Sequence, residues 1–354
     1  MPAGCDVLVV GGGPAGMAAA TTAAGLGLST RLLDEQRAPG GQIYRGITTV
    51  PAALARRLGE DYAHGRTLTD ALAASTVDVE PDATVFDIDA DLNVAWLRDG
   101  TAREIAAGHL ILATGAMERA TAVPGWTLPG VMYAGAAQLL LKTAASVPSG
   151  RVALAGNGPL LLLVANQLAD AGANVVALVE TTRFADVLGA APHLPRALAA
   201  GEYLRKGMVM MDGLRRRRLR WIRGATAVEV IGGQRAEALQ VTVGGRTERI
   251  VADTVLLHFG VIPNTQITRL LRLEHVFDST QVAWRPRTDH WGRSSHGRVW
   301  IAGDGAGIGG ARAAEASGVL AALDAAWALG RIGIAERDRG GAQALRERSR
   351  QLSV

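Results

Sequence analysis

Three glycines near the start of the chain have the spacing of a loop that binds phosphate groups. Gly11, Gly13 and Gly16 form the pattern G-x-G-x-x-G, and the acidic pair Asp34 and Glu35 follows them. In such a loop the first glycine allows a tight turn, the second lets the backbone approach a pyrophosphate, and the third lets the next helix lie close to the strand. A carboxylate further on can accept hydrogen bonds from ribose hydroxyls. These residue types in this order predict a dinucleotide site.

The segments around these glycines are the ones that such a site requires. Residues 7–10 form an apolar run typical of a buried strand, residues 15–24 a small-residue helix, and residues 30–33 a second strand that ends at the acidic pair. The start of the helix offers free N–H groups and the positive end of its dipole to phosphates. A glycine-rich turn without a ligand would explain the glycines, but not the strand, helix and acid in one register.

A second stretch, residues 151–180, repeats the pattern with one departure. It predicts a strand, a loop with Gly156 and Gly158, a helix, and a strand that ends at Glu180. The third glycine position holds Leu161, whose bulk we expect to push the helix away from the strand and to weaken the site. Glu180 favours a free 2′-hydroxyl and hence NAD over NADP, although the nearby Arg183 leaves this choice open.

Asp304 follows the last apolar strand, residues 299–302, and precedes a glycine-rich turn and a long alanine-rich helix. Its carboxylate could cap that helix, or it could bind a hydroxyl group of a ligand. In the second case the N–H groups around Gly310 and Ala311 would face the electron-accepting part of that ligand.

The composition indicates a folded α/β protein of about two domains. The chain has 354 residues, of which 48% are hydrophobic and 20% are charged. Its net charge of +4 is too small and too evenly spread to indicate nucleic-acid binding. One basic cluster, residues 215–223, is interpreted as a strand or edge hairpin with a solvated face, or else as a docking or phosphate-binding patch.

The cysteine and histidine content excludes several kinds of site. Cys5 is the only cysteine and an inert thiol is expected there, so the chain alone cannot form a disulfide, a C-x-x-C redox pair or a cysteine-ligated cluster. The seven histidines, His193 among them, show neither metal-binding spacing nor a nucleophile partner, and His258 is expected to be a packing residue. Residues 7–30 carry no charge, but glycines interrupt them and no basic segment precedes them. Neither a signal peptide nor a membrane span is therefore predicted, and the cytoplasm is the expected location.

The order of these motifs resembles that of the two-dinucleotide-domain flavoproteins typified by thioredoxin reductase and glutathione reductase. Along the chain the motifs are the first glycine loop, the acidic pair at 34–35, G-G-Q at 40–42, A-T-G at 113–115, the second glycine loop, G-V-I-P-N at 260–264 and G-D at 303–304. Three stretches resemble a narrower group, the flavin-binding alpha subunits of heteromeric opine, proline and hydroxyproline dehydrogenases and of hydrogen cyanide synthase. They are DEQRAPGGQIYR, ATGAMERATAVPGWTLPGV and GNGPLLLL.

The resemblance implies an α/β fold with two Rossmann-like, βαβ-based dinucleotide-binding domains, the second inserted into the first. Residues 1–120 and 261–354 would form the FAD-binding domain, and residues 121–260 a NAD(P)-type domain. By this resemblance Gly11, Gly13, Pro14, Ala15 and Gly16 would bind the FAD pyrophosphate, and Thr114 and Gly115 would close over the phosphates. Asp34, with Glu35 beside it, would bind the adenosine ribose, and Val85 the adenine. The ribityl chain and the flavin would contact Gly41, Gln42, Asp304, Gly310 and Ala311. A second cofactor, NAD, would contact Gly156, Gly158 and Glu180.

By the same resemblance the chain is expected to be the FAD-binding, electron-transferring alpha subunit of a heteromeric amine or amino-acid dehydrogenase. Its expected partner is a second flavoprotein subunit that carries the substrate site, and a small iron–sulfur protein is a further candidate. Many such alpha subunits continue into a Cys-rich domain, whereas this chain ends in an arginine-rich segment, so a cluster is expected on another polypeptide or not at all.

Two alternatives stay open. The chain could be a self-contained NAD(P)H-dependent flavin reductase, or a structural or regulatory nucleotide-binding subunit with a vestigial second site. No side chain is predicted to be a substrate-level catalyst and no metal site is predicted, because the chemistry would belong to the flavin.

Overall fold

The computed structural model describes residues 4–183, 189 and 201–352. The chain divides into two compact units. Unit 1 contains Met1–Pro51, Gly59–Met117 and Ile262–Ser353, and unit 2 contains Ala52–Leu58 and Glu118–Val261. Most of unit 2 is therefore inserted into the sequence of unit 1.

The α-helices of the described ranges are labelled in chain order. They are α1 (Pro14–Gly25), α2 (Ala52–Leu58), α3 (Glu60–Ala63), α4 (Gly65–Ala73), α5 (Ala134–Ala144), α6 (Pro159–Asp170), α7 (Gly201–Arg216), α8 (Gln266–Leu270), α9 (Gly310–Ala328) and α10 (Ile334–Leu352). A 3₁₀ turn, Gly303–Ala306, precedes α9. None of these helices is long and apolar enough to cross a membrane, within the residues that the structure describes.

The strands of the described ranges are β1 (Cys5–Val10), β2 (Thr30–Leu33), β3 (Asp78–Glu80), β4 (Thr84–Ile88), β5 (Asn93–Arg98), β6 (Thr101–Leu112), β7 (Ala116–Glu118), β8 (Val131–Tyr133), β9 (Arg151–Gly156), β10 (Asn174–Glu180), β11 (Trp221–Arg223), β12 (Ala227–Ile231), β13 (Ala238–Val243), β14 (Arg246–Val251), β15 (Thr254–His258), β16 (Val261–Pro263), β17 (His275–Asp278), β18 (Ala283–Pro286) and β19 (Val299–Ile301).

The main sheet of unit 1 has a topological switch point between β1 and β6. Its parallel part has the order β3-β2-β1-β6-β19, and the first half of β6 pairs antiparallel with β5, which pairs with β4. From β1 the chain runs to β2 and β3 on one side and returns as β6 on the other. A crevice therefore opens beyond the carboxyl ends of β1 and β6, where α/β proteins bind their ligands.

Small residues let the helices of unit 1 pack closely. Helix α1 is rich in alanine, and Ala19 of α1 and Ala321 of α9 are fully buried. A Cβ on Gly318 of α9 would lie only 2.1 Å from the carbonyl oxygen of Ala15 in α1. The small side chains of α1 therefore allow α9 to pack closely against it, in addition to forming the end of the glycine loop before α1.

Unit 2 repeats the arrangement. Its main sheet is parallel, in the order β11-β10-β9-β15-β8, and its switch point lies between β9 and β15. Strands β12, β13 and β14 form an antiparallel sheet that shares a buried cluster with it, including Ala155 and Val241. The predicted fold class, α/β with two Rossmann-like βαβ units, is confirmed.

One local prediction is wrong. The basic cluster is not a continuous strand or hairpin, because Arg215 and Arg216 form the last turn of α7 and the edge strand β11 begins only at Trp221. The alternation of arginine with apolar residues resembles a strand, but Leu214 is buried and belongs to the helix.

Candidate functional site

The loop between β1 and α1 depends on close contacts that require glycine. Gly11 has a φ of 104°, and a Cβ there would lie 2.4 Å from the carbonyl oxygen of Ala113. A Cβ on Gly16 would lie 1.7 Å from the carbonyl oxygen of Gly11. The helix can therefore approach the end of β1 only because position 16 has no side chain.

The start of α1 is open to a ligand. No side chain caps the helix at Gly13, and Pro14 stands at its first position. The N–H groups of Ala15 and Gly16 have no acceptor within the helix, as in any first turn. The nearest atom to a Cβ on Gly13 would be the Cα of Gly41, at 3.7 Å. These N–H groups and the helix dipole are suited to a phosphate.

Asp34, at the end of β2, has a carboxylate oxygen available for a ligand. The residue is only 5% exposed. Its Oδ1 accepts a hydrogen bond from the N–H of Gln36 at 3.1 Å, whereas its buried Oδ2 makes no hydrogen bond of ordinary geometry within the described residues, although the backbone of Gly12 lies close. Burial raises the pKa of Asp34, although the backbone of Gly12 opposes the rise. Glu35 is exposed, and its Oε1 accepts a hydrogen bond from the side chain of Gln36 at 3.2 Å.

Gly41 and Gln42 lie in the turn that backs on the first loop, and Val85 lies on β4. A Cβ on Gly41 would be 2.8 Å from the Cα of Gly13, so the two glycines are in close contact. Gln42 is exposed, and Val85 is half-buried against the hydrophobic core of unit 1. The structure thus brings Gly41 next to the first glycine loop.

Thr114 and Gly115 follow β6 on the other side of the switch point. The hydroxyl of Thr114 donates to the carbonyl oxygen of Asn264 at 3.3 Å, and the carbonyl of Gly115 accepts from the N–H of Asn264 at 3.0 Å. A Cβ on Gly305 would lie 3.5 Å from the Thr114 hydroxyl. This segment therefore lies beside the 3₁₀ turn that contains Asp304.

The Asp304 carboxylate joins the 3₁₀ turn to the start of α9. Its Oδ1 accepts hydrogen bonds from the N–H groups of Gly309 at 2.9 Å and Gly310 at 3.0 Å. Burial raises the pKa of Asp304, although these two hydrogen bonds oppose the rise. The N-cap residue of α9 is Gly309, so Asp304 is not the N-cap, but its carboxylate binds the backbone at the start of this helix. Ala311 lies in the first turn of α9, next to this cap.

The structure also reveals a polar cluster that the sequence analysis missed. His64 Nε2 lies 2.9 Å from Glu315 Oε2 and 3.1 Å from Arg312 Nη1. The ring of buried Tyr44 lies edge-on to His64, with 6.3 Å between centroids. Burial, with the charge of Glu315, raises the pKa of Tyr44 to about 12. His64 and Glu315 are 251 positions apart, so no local pattern indicates the pair.

The second loop, between β9 and α6, shares the close approach of its first glycine to a neighbouring strand but has a different backbone conformation, because φ is −74° at Gly13 and 86° at Gly158. Gly156 has a φ of 143° and Gly158 a φ of 86°, and a Cβ on Gly156 would lie 1.7 Å from the carbonyl oxygen of His258. Leu161, at the third glycine position, is fully buried. In unit 1 the carbonyl that faces the first glycine of the loop belongs to Ala113, and in unit 2 it belongs to His258. Unit 2 therefore has a histidine where unit 1 has an alanine.

Glu180 lies at the end of β10, as its position in the sequence requires, but its carboxylate is already engaged. Its Oε2 accepts a hydrogen bond from the indole N–H of Trp221 at 2.8 Å and lies 3.6 Å from Nε of Arg223. The guanidinium of Arg223 stacks over the Trp221 ring at 3.8 Å from its centroid. Arg183 is exposed nearby in sequence. The partners of Glu180 lie on β11 and were not identified from the sequence.

His258 is buried, as expected of a packing residue, but it also has an acidic partner. Its Nδ1 lies 2.8 Å from Oε2 of Glu118, and the two side chains are 4% and 15% exposed. The Oε1 of Glu118 accepts a hydrogen bond from the N–H of Gly135 in the first turn of α5. This pair lies at the switch point of unit 2.

The described residues contain no group of three or more acidic, histidine or cysteine side chains that could hold a metal ion. His193 lies outside these residues. Burial raises the pKa of the Cys5 thiol to about 11, so the thiol stays protonated near neutral pH and is a poor nucleophile.

Two protein relatives share most of this chain. An opine oxidase subunit of Agrobacterium tumefaciens (strain Ach5) is 43% identical over 328 residues, which cover 90% of this chain and 65% of that protein. Subunit HcnB of the hydrogen cyanide synthase of Pseudomonas aeruginosa is 35% identical over 329 residues, which cover 89% of this chain and 69% of that protein. The chain thus spans slightly less than two thirds of the length of the opine oxidase protein.

Solved structures show the same fold. L-proline dehydrogenase from P. horikoshii superposes with a TM-score of 0.68 at 17% identity, over 97% of this chain and 59% of that one. Thioredoxin reductase from T. acidophilum superposes with a TM-score of 0.65 at 19% identity, over 92% and 98%. A family model described as pyridine nucleotide-disulphide oxidoreductase matches residues 5–318. The chain therefore belongs to the pyridine nucleotide-disulphide oxidoreductase family.

Proposed function

We propose that this chain is the FAD-binding, electron-transferring subunit of a heteromeric amine or amino-acid dehydrogenase of the opine, proline or hydroxyproline type. The observation that carries the flavin part is the open loop at Gly13 beside a buried carboxylate oxygen of Asp34 that makes no hydrogen bond of ordinary geometry in the described residues. The heteromeric part is supported by relatives that are named as subunits of opine oxidase and hydrogen cyanide synthase.

The residues of the first loop fit a dinucleotide in size and charge. The start of α1 provides N–H donors for a pyrophosphate, and a buried acceptor at Asp34 would be satisfied by a ribose hydroxyl. In this proposal residues 1–120 and 261–354 form the FAD domain and residues 121–260 the second nucleotide domain. The proposed FAD contacts are those inferred from the sequence: Gly11, Gly13, Pro14, Ala15, Gly16, Asp34, Glu35, Gly41, Gln42, Val85, Thr114, Gly115, Asp304, Gly310 and Ala311.

The protein's own contribution is to hold and polarise the cofactor. A bound flavin supplies the two-electron chemistry. Asp304 fixes the start of α9, whose dipole would favour negative charge at that end. No side chain of this chain is proposed as a catalyst.

The substrate pocket is proposed to lie on a second protein of the complex, which carries its own flavin. Oxidation of a C–N bond requires a pocket that binds the acid group and desolvates the amine, and no arginine of this chain falls in a motif that provides one. A small iron–sulfur protein is proposed as a further partner. The basic segment 215–223 and the segment 126–133 are the candidate docking surfaces.

The test is to express the chain with and without its genomic neighbours. Each preparation is assayed with proline, hydroxyproline, sarcosine, glycine and opines and a dye acceptor. We expect activity only after co-expression, together with co-purification of a second flavoprotein. Robust turnover by the chain alone would refute the proposal that it works as part of a heteromeric enzyme.

The second candidate is a self-contained NAD(P)H-dependent flavin reductase, favoured by the second glycine loop at Gly156 and Gly158. It requires rapid reduction of the flavin by NADH, which the bulk of Leu161 in that loop should prevent. A regulatory subunit with a vestigial second site would retain nucleotide without any turnover, even after co-expression.

A further inference from the structure

His258 stands at the position of unit 2 where a bound nucleotide would come closest to the sheet. It is the last residue of β15, and β15 and β9 flank the switch point. Its carbonyl accepts a hydrogen bond from the N–H of Asn157, within the second glycine loop, at 2.8 Å. The corresponding residue of unit 1, Ala113, has no polar side chain, so the imidazole is a special feature of unit 2.

Glu118 determines which nitrogen of His258 carries a proton. Glu118 Oε1 accepts from the N–H of Gly135 at 2.8 Å, and Oε2 lies 2.8 Å from His258 Nδ1. A carboxylate can only accept, so Nδ1 donates to it. In the neutral ring, Nε2 is then unprotonated, and it gains a proton only when the ring becomes an imidazolium.

The other nitrogen, Nε2, is directed towards the second loop. A Cβ on Gly158 would lie 3.9 Å from it, and Gly158 is the N-cap of α6, where no side chain makes a capping hydrogen bond. Nε2 has no hydrogen-bond partner among the residues that the structure describes, although His258 is only 3% exposed. The nitrogen itself is not fully buried, so a group outside the protein can reach it from the loop.

Among the described residues, the ion pair of the ring is with Glu118, while α5 carries Lys142 in its last turn, bonded to Gln138, and Arg119 follows Glu118 in the chain. Glu118 is the acidic group. The first turn of α6 is Pro-Leu-Leu, the first turn of α5 has no acidic residue, and β9 ends in Ala-Gly. Tyr133, at the end of β8, has a buried hydroxyl without a partner in the described residues. An anion at this loop would therefore meet the positive end of α6 and the imidazolium.

We propose that His258 binds the diphosphate of a nucleotide at the second loop, and that Glu118 makes this binding depend on proton uptake. Phosphate oxygens only accept hydrogen bonds, so Nε2 contributes only when it is protonated. In the neutral ring its lone pair faces the phosphate. Affinity should therefore be higher when the ring is protonated than when it is neutral. This inference concerns unit 2 and does not depend on the proposed flavin chemistry.

The primary test is a calorimetric titration of the full chain with NAD⁺ at about pH 6 and about pH 8, a range that spans imidazole titration. NAD⁺ is suitable because its diphosphate is a diester whose charge is constant over this range, and because it does not reduce a flavin. A charge-assisted hydrogen bond should make binding about tenfold tighter at the lower pH. Adenosine, which has no phosphate, is the control ligand, and its affinity should not depend on pH.

Two variants separate this role from packing. In Glu118→Gln the amide oxygen must accept from the N–H of Gly135, so its NH₂ group faces Nδ1 and donates to it. The neutral imidazole then carries its proton on Nε2 and can bind phosphate at either pH. We expect affinity that does not change with pH and lies between the two wild-type values. In His258→Asn the donor is lost, and affinity should stay near the wild-type value at the higher pH.

His290→Asn, at an exposed histidine of unit 1, is the control and should keep the wild-type pH profile. The inference is overturned if wild-type affinity for NAD⁺ is independent of pH or rises with it, if His258→Asn keeps the wild-type profile, or if NAD⁺ does not bind. Flavin absorbance of each purified variant reports on unit 1 independently. If the purified proteins showed no flavin absorbance, this result would count against the proposed flavin function and not against this inference.

Discussion

Gly13 and Gly16 belong to the same motif, yet they are required for different reasons. Position 16 has no room for any side chain, because a Cβ would lie 1.7 Å from the carbonyl oxygen of Gly11. Position 13 has room within the protein, since Gly41 Cα at 3.7 Å is the nearest atom, and its φ of −74° suits any residue. A substitution at Gly16 should therefore disturb packing, whereas one at Gly13 should disturb only a ligand.

Gly13→Asp is expected to abolish FAD retention while the protein still folds. The new carboxylate would lie where the pyrophosphate is proposed to bind, and like charges in contact cost several kcal/mol, or about a hundredfold or more in affinity. The flavin absorbance of the purified protein measures the effect. Gly25→Asp adds the same charge at the other end of α1, where a Cβ has no neighbour within 4 Å, and should retain the flavin. A full flavin complement in Gly13→Asp would show that the loop is misassigned.

Asp34→Asn should weaken FAD binding but stabilise the flavin-free protein. Burial raises the pKa of Asp34, so its ionised form destabilises the folded state relative to the unfolded state. This penalty is fully present above the raised pKa and disappears as the pH falls to the ordinary value of 3.8. At neutral pH we expect the melting temperature of the variant to rise by about 2–4 °C, and its FAD affinity to fall by about tenfold.

Thermal unfolding of flavin-free protein and flavin titration measure these two effects. The stability gain should shrink as the pH is lowered towards 4, because wild-type Asp34 then becomes protonated too. Equal melting temperatures at pH 7 would contradict the argument from burial.

At the scale of elements, Asp324 of α9 holds a cluster that joins α9 to α10 and to the end of the main sheet. The residue is 1% exposed. Its Oδ2 accepts from Nε of Arg293 at 3.0 Å and from the indole N–H of Trp300 at 2.9 Å, and its Oδ1 accepts from Arg337 at 2.8 Å. Both guanidinium groups also stack over the ring of Trp327. One carboxylate thus balances two partly buried cations.

Asp324→Asn is expected to reduce the free energy of unfolding by about 3–5 kcal/mol, because it leaves two guanidinium groups without their buried counter-ion. The matched control is Asp338→Asn, which removes the exposed partner of Arg337 at 2.8 Å and should cost less than about 1 kcal/mol. Urea unfolding of both variants gives the comparison. Similar losses in the two would show that Asp324 does not stabilise the protein through this cluster.

At the scale of the whole molecule, two units whose four central parallel strands have the same order, β3-β2-β1-β6 and β11-β10-β9-β15, differ where a nucleotide would lie. Unit 1 has Gly16 and Ala113 around its loop, whereas unit 2 has the buried Leu161 and His258. Glu180, the residue expected to select NAD, already binds Trp221. The two nucleotide sites should therefore differ in affinity although their folds are alike.

We accordingly expect NADH to reduce the flavin of the full chain slowly or not at all. Leu161 fills the space that a glycine leaves in a tight nucleotide loop, so the second site should bind a nicotinamide nucleotide weakly. Anaerobic stopped-flow mixing with NADH, followed by flavin absorbance, gives the rate. Stoichiometric reduction within milliseconds would instead support the self-contained reductase.

The sequence alone determined the two βαβ units, because strand, loop, helix and acid lie within about thirty residues and each has a local signature. It also determined the switch-point loops and, through the order of the motifs, the family. It failed at the basic cluster, where Leu219, Arg220 and Trp221 alternate like a strand, because Arg215 and Arg216 before them continue α7.

Only the tertiary structure decided which polar groups meet. His258 pairs with Glu118 across 140 positions, His64 with Glu315 across 251, and Trp221 with Glu180 across 41. The physical reason is that periodicity and glycine spacing report contacts within one element or one turn. Contacts between side chains at the ends of different strands depend on strand order and register, which are set by the packing of the whole sheet.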